Sequence, residues 1–330
     1  MKYFYELTMS SSPHVHAPAT TQTIMRDVLI ALMPAMAGAI CFFGFRALMV
    51  TLISAAACLF FEWAYRKIMK LDNTAWDLSA VVTGVLLAFV CPVTIPYWCI
   101  IIGDFFAIIV VKQIFGGIGK NFINPALGGR AFMMSWAALM SNWVVVGLDN
   151  AAGVISTADV VTAATPLSYM HAYTLPTDAT IGKMFIGSIG GCIGETSALL
   201  LLVGFGYLLL RKVITARIPL TYMATVAIIA YLFPMGNDRS VWMLAQLFSG
   251  GLFLGAIFMA TDYVTSPVTK KGQVIFGIGC GVITMVIRYF GGYSEGVSYA
   301  ILLMNCCVVL LDKVGRPVKF GAPKKEAAKK

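Results

Sequence analysis

Segments long and apolar enough to cross a lipid bilayer follow one another along nearly the whole chain, and this leaves few folds open to it. A helix needs about 20 mainly apolar residues to span the hydrocarbon core. Runs at roughly 27–45, 47–64, 76–92, 96–115, 126–147, 184–210, 218–234, 241–260, 273–291 and 296–312 meet that requirement, about ten spans in all. Backbone polar groups in lipid must be satisfied within the protein, so the expected fold is an all-α polytopic membrane protein. Composition agrees: 59% of residues are hydrophobic and 12% charged, against about 45–50% and 25% in soluble domains. Mean hydropathy is +0.84. A soluble enzyme, a disordered tail protein, a collagen-like fibre and a disulfide scaffold are all excluded.

The net charge of +9 could suggest nucleic acid. The basic residues, however, form short clusters between apolar runs, which is how membrane orientation is encoded. With a cytoplasmic N-terminus, the inner segments collect Arg66, Lys67, Lys70, Lys112, Lys120, Arg130, Arg211, Lys212, Lys270, Lys271 and the basic tail. Roughly 20 basic residues then fall inside against about 4 outside, so both termini are expected in the cytoplasm. The first two dozen residues contain no short apolar stretch of the signal-peptide kind. The eight cysteines lie within or at the ends of apolar runs and form no C-x-x-C. No metal site or disulfide framework is expected from them.

These boundaries divide the chain into an N-terminal cytoplasmic segment (1–26), a first membrane half of five helices (27–147), an outer-face loop (148–182), a second half of five helices (183–312) and a basic cytoplasmic tail (313–330). Five is odd, so a duplicated unit must insert the second time with opposite sense. A 5+5 inverted repeat is the expectation, on count rather than on internal similarity.

Charge at membrane depth is costly, about 2.5–3.5 kcal/mol on insertion scales, so each such residue is a functional candidate. Asp104 lies in the middle of an apolar run, and Glu195 follows the glycine-rich stretch 190–194. Both are candidates for an ion path, with a structural hydrogen bond as the competing reading. Glu62 and Asp262 lie near span ends and are expected to make a structural hydrogen bond or to reach the interface by snorkelling.

The stretch Phe115–Ala126 resembles a phosphate loop only superficially. Its glycine spacing is wrong, and Asn121 stands where a magnesium-binding Ser or Thr is required. Its amides, Asn121 and Asn124, suit a neutral heterocycle with alternating donors and acceptors. Asn124 followed by Pro125 also reads as a helix cap. In the outer loop, Asp159-Val160-Val161-Thr162-Ala163-Ala164-Thr165-Pro166-Leu167 places the Thr165 hydroxyl beside two small alanines, with a proline holding it extended. A modifying enzyme would have room to reach that oxygen.

The Ser11-Ser12-Pro13-His14 segment, the Gly-Gly-x-Gly-x-Asn-x-x-Asn-Pro-Ala pattern at 116–126, the 159–167 stretch, and Ala260-Thr261-Asp262 with Thr265-Ser266-Pro267 carry a resemblance over nearly the whole chain. The chain resembles the family that contains the D subunit of the Rnf electron-transport complex and, more distantly, the B subunit of the sodium-pumping NADH:quinone oxidoreductase. The latter has a longer N-terminal extension, which favours the Rnf member. The resemblance implies a covalent FMN, held through a phosphoester on Thr165 within the motif formed by Asp159, Thr162, Ala164, Pro166 and Leu167. Ala163 stands where the family usually has glycine. It also implies a second, non-covalent flavin, riboflavin, near Gly117, Asn121 and Asn124. The implied role is electron relay between ferredoxin and NAD, coupled to Na+ or H+ movement in the bacterial cytoplasmic membrane. The chain would not be catalytic alone. Its partners would be an outer-side flavoprotein subunit and inner-side iron–sulfur and NAD-binding subunits. From the residues alone, a small-solute channel or secondary transporter of inverted-repeat type is the rival reading, and a structural membrane anchor a weaker one.

Overall fold

The computed structural model describes residues 19–144, 165–172, 181–187, 189–195, 197–236 and 238–314. Among these residues the regular structure is helical. In chain order the helices are α1 (Thr21–Phe43), α2 (Phe45–Ile68), α3 (Ser79–Phe89), α4 (Tyr97–Phe105), α5 (Pro125–Met133), α6 (Ala137–Met140), α7 (Pro166–His171), α8 (Ile181–Ile186), α9 (Ala198–Leu210), α10 (Arg217–Leu232), α11 (Arg239–Phe248), α12 (Leu252–Leu254), α13 (Lys270–Phe290) and α14 (Val297–Val314). Two of them continue as π-helix: α4 into Phe106–Gln113 and α12 into Gly255–Met259.

Among the described residues four helices, α1, α2, α13 and α14, are long and apolar enough to cross a membrane; α11 and the α12 stretch to Met259, bent by 61° at their junction, would add a fifth if counted as one span. The other apolar runs fold as shorter or broken pieces. The run at 76–92 supplies only α3, and the run at 184–210 is interrupted between α8 and α9. A hydropathy window counts apolar residues whether or not the helix continues through them, and Gly187, Gly190 and Gly191, like Gly250 and Gly251, fall at two of these breaks.

The outward face suits a lipid environment. Phe60, Leu52, Ile228, Val282, Val286, Phe290, Leu303 and Val309 are all exposed. In water, a contiguous apolar surface of this kind would drive aggregation. The buried face is lined by small residues that allow close approach. At Gly84 on α3 a Cβ would lie 2.7 Å from both Ala55 Cα and Ser54 O of α2, so only glycine permits that crossing. The two halves of the chain interlock: α1 packs on α9, and α5 packs on α14.

Irregular backbone inside a membrane protein is tolerated only where neighbours satisfy it. Segment 189–195 meets this condition against the end of α3. Ile193 N donates to Cys91 O at 3.0 Å, Gly194 N to Phe89 O at 2.9 Å, and Cys192 Sγ to Val90 O at 3.2 Å. These bonds fix the segment that carries Glu195.

Candidate functional site

Two cavities contain the residues singled out from the sequence. The first, with about 780 Å³ of empty space, is bounded by Asn121, Asn124, Lys112, Asp262, Thr83 and apolar side chains including Val82, Leu86, Ile257 and Phe258. Both π-helical stretches touch it, through Lys112 and through Ile257 with Phe258, and such distortions concentrate at functional sites.

The two asparagines play different parts here. Neither lies within a shared helical turn: Asn121 precedes α5, and Asn124 is its N-cap. Asn124 Oδ1 accepts from Ala126 N at 3.0 Å and Leu127 N at 3.4 Å, while its Nδ2 donates to Met259 O at 3.2 Å. Its amide is therefore committed to capping and to tying α5 to the second half. Asn121 Nδ2 donates to Ile123 O at 3.0 Å. Among the described residues no donor reaches Asn121 Oδ1, so this oxygen is the amide atom left for a ligand. Gly117 does not line the cavity; it packs against the Arg66 guanidinium in the preceding turn. Asp262 is enclosed and bonded by Thr265 Oγ1 at 3.0 Å. Burial pushes its carboxyl above the ordinary carboxylate range, partly offset by that hydroxyl.

Lys112 reaches the cavity as half of an internal ion pair. Its Nζ lies 2.7 Å from Glu62 Oε2 and 2.7 Å from Ser79 Oγ, and Thr74 Oγ1 donates to Glu62 Oε1 at 2.7 Å. The side chains are 3% and 0% exposed. Of the two expected alternatives, Glu62 and Asp262 take the structural hydrogen bond rather than snorkelling, because each has a buried partner. Lys112 and Arg130, counted above as orientation charges, are spent inside the protein.

The second cavity, about 410 Å³, is lined by Trp143, Thr165, Leu167, Gly191, Glu195 and Glu295, among others. Thr165 is half-buried with extended backbone (φ −71°, ψ 155°) and caps α7, with Pro166 at the first helical position. Its Oγ1 accepts from Ser168 N at 3.2 Å. A phosphoester on that oxygen keeps its lone pairs, so the cap and the attachment chemistry are compatible. Trp143 and the backbone of Gly190 and Gly191 line the wall beside Thr165, an aromatic face and polar backbone of the kind a tethered flavin ring can lie against. Pro166 and Leu167 line the same cavity. Asp159, Thr162 and Ala164 lie outside the described residues.

Behind this cavity, Arg130 of α5 is 3.2 Å from Glu195 Oε1 and also pairs with Glu295 Oε2. Burial by itself would raise the Glu295 carboxyl, but the adjoining Arg130, with Arg288 beyond it, holds it below its ordinary value. Sequence reading missed Arg130 and Glu295. The available signal was a lone arginine inside the apolar fifth run.

Asp104 belongs to neither cavity. It is fully buried on α4, with Ser54 Oγ at 2.7 Å and Cys58 Sγ at 3.2 Å from its Oδ1. Ser54 Oγ also lies 2.8 Å from Gly84 O. The Ser54 hydroxyl proton is thus shared between Asp104 Oδ1 and Gly84 O. Asp104 Oδ2 has no partner among the described residues.

A family model described as the NQR2, RnfD, RnfE family matches residues 8–321. The chain is similar to the D subunit of the Na(+)-translocating ferredoxin:NAD(+) oxidoreductase complex of Acetobacterium woodii, at 47% identity covering 96% of each chain. It is 41% identical to the D subunit of the proton-translocating ferredoxin:NAD(+) oxidoreductase complex of Clostridium ljungdahlii, covering 95% of this chain and 96% of that one. The D subunit of the ion-translocating oxidoreductase complex of Actinobacillus succinogenes is 33% identical, over 94% of this chain and 96% of the relative.

Proposed function

The chain belongs to the NQR2, RnfD, RnfE family, and from that premise we propose that it is the flavin-bearing membrane subunit of an Rnf-type complex. In this reading the complex couples electron transfer between ferredoxin and NAD to ion movement, and this subunit relays electrons across the membrane. The observation that carries the reading is the placement of two cavities along shared helices. α5 offers Asn124 to the first cavity and holds Arg130 behind the second, about 9 Å apart along the axis at the α-helical rise. α9 leads from the Glu195 segment to Leu208, which lines the first cavity.

Flavins, when bound, supply the one- and two-electron chemistry. The chain supplies position. Thr165 Oγ1 is the attachment oxygen for FMN on the outer side. Asn121 Oδ1 and the buried Lys112 present an acceptor and a cation to riboflavin on the inner side, and the apolar walls exclude water. The broken helices suit a 5+5 inverted repeat in the cytoplasmic membrane, with both termini inside. An outer-side flavoprotein and inner-side iron–sulfur and NAD-binding subunits are the partners this requires. Relatives of similar identity are named for sodium and for protons, so the ion is left open.

Extraction of the purified complex in organic solvent tests the inner site. Riboflavin should be recovered from wild type and lost, by at least tenfold, from Asn121→Leu. Asn124→Leu should instead lower stability by about 0.5–2 kcal/mol through the lost cap. Equal riboflavin in wild type and Asn121→Leu would rule out this site. If Asp104 serves ion movement, Asp104→Asn should retain fold and flavin, since the amide oxygen can still accept from Ser54 and Cys58, while ion transport is uncoupled from electron transfer. Normal pumping by that variant in reconstituted vesicles would remove Asp104 from the path.

A further inference from the structure

Three charged side chains from separate elements meet below Thr165: Arg130 on α5, Glu195 in segment 189–195, and Glu295 between α13 and α14. Arg130 and Glu195 are buried, and the Glu295 side chain is 18% exposed. Arg130 Nη1 is 3.2 Å from Glu195 Oε1 and 3.5 Å from Glu295 Oε1. Gly251 N donates to Glu295 Oε1 at 3.2 Å. A Cβ at Gly251 would stand 2.5 Å from both Glu195 Oε1 and Glu295 Oε1, so the two carboxyls converge on one point. Both Oε1 atoms also face the same Arg130 Nη1, so the two carboxyls are neighbours in one small desolvated space.

Two ionised carboxylates have only acceptors, so a hydrogen bond between them requires a proton. Charge leads to the same result. One guanidinium balances one carboxylate, and a second carboxylate charge in a desolvated site is repelled by the first. The other titratable or charged groups facing the cluster are Cys91, Cys192, Tyr222, Arg288, Tyr293 and Tyr299. Arg288 adds positive charge at a distance but makes no ion pair with either carboxyl. Its Nη donors go to Gln246 O, Gln246 Oε1 and Ser249 O at 2.6, 3.0 and 3.2 Å.

Glu295 also forms the wall between the Thr165 cavity and a neighbouring one of about 300 Å³, lined by Arg130, Tyr293, Ser298 and Tyr299. The hydroxyls of that cavity can accept and donate protons.

We propose that Glu195 and Glu295 hold one exchangeable proton between them on Arg130 and pass it between the two cavities, so that the charge facing Thr165 alternates between balanced and singly negative. Release breaks the O–H bond of one carboxyl, leaves the electron pair on its oxygen and passes the proton to a water molecule entering the hydroxyl-lined cavity, which carries it to solvent as hydronium. Uptake is the reverse and is favoured when negative charge arrives in the Thr165 cavity. The use of this proton next to a flavin rests on the reading of Thr165 given above; the sharing of the proton does not.

The test takes the assembled complex with isotope-labelled glutamate and follows its infrared carboxyl bands with pH. Wild type should show a protonated glutamate C=O band that titrates away, and both Glu195→Gln and Glu295→Gln should lose it. In parallel, the midpoint potential of the covalent flavin is measured against pH. An extra steepening in wild type should vanish in both variants, with the potential higher on the alkaline side because one negative charge is gone. A purely structural role would leave that pH profile unchanged. Should either glutamine variant fail to assemble, Arg130→Lys keeps the charge balance and should retain the band with a displaced midpoint. Absence of the band in wild type, or its persistence in both glutamine variants, overturns the proposal. A titrating band in a wild-type chain that carries no covalent flavin upholds the proton pair and overturns the flavin assignment instead.

Discussion

Thr165→Ala should abolish covalent flavin completely while leaving the protein folded. The two effects separate because Thr165 has two duties of very different size. As the cap of α7 its oxygen accepts one bond, from Ser168 N at 3.2 Å, and losing a cap costs about 0.5–2 kcal/mol. As the attachment oxygen it is irreplaceable, since alanine has no atom to esterify. Thr165→Ser restores the hydroxyl and the cap, and so reports on capping alone in the unmodified chain. Intact mass is the measurement. Wild type should exceed the chain mass by one FMN less water, and the alanine variant should match the bare chain. Flavin fluorescence should stay with the wild-type band on a denaturing gel and be missing from the variant. A wild-type mass without the increment, or an increment that survives the substitution, would end the assignment. It would also return the molecule to the channel or transporter reading.

The largest stability effect is expected at Lys112 and Glu62. Removing one partner of a buried pair strands a charge, which costs about 3–5 kcal/mol. Lys112→Met leaves Glu62 enclosed with only the Thr74 hydroxyl, and Glu62→Leu leaves Lys112 with only Ser79. Each single variant should therefore unfold at markedly lower temperature in detergent. The double variant removes both charges together, and replacement of buried ion pairs by apolar side chains is often near neutral. What remains is the loss of bonds to Thr74 and Ser79, about 1 kcal/mol each. A double-mutant cycle should thus show strong coupling, with the double variant more stable than either single one. Strictly additive losses would mean that the pair is not held together as described.

These two expectations come from different levels of the molecule. Thr165 could be read from the chain itself. A Thr-Pro step extends the residue before the proline, and the structure has that extended cap with proline at the first helical position. The capping role of Asn124 was likewise local and legible, although it competed with a ligand role that the structure leaves mainly to Asn121. The burial of Glu62 was not legible. A glutamate near the end of an apolar run looks the same whether it snorkels or meets a lysine from the next helix pair, because the residue that decides the matter is 50 positions away.

The same separation runs through the whole site. Membrane character, helical class and family were determined by the sequence alone, because hydropathy is a sum over neighbouring residues and the family's motifs are short and contiguous. Which helices run unbroken, which charges are paired and which residues share a cavity were decided only in three dimensions. Arg130 meets Glu195 across 65 positions and Glu295 across 165, and Asn124 reaches Met259 across 135. Contacts at that separation depend on how α5 packs against α14 and against the break between α11 and α12. That packing is set by the shapes of many side chains at once, so the charge network beneath Thr165 became visible only in the packed helices.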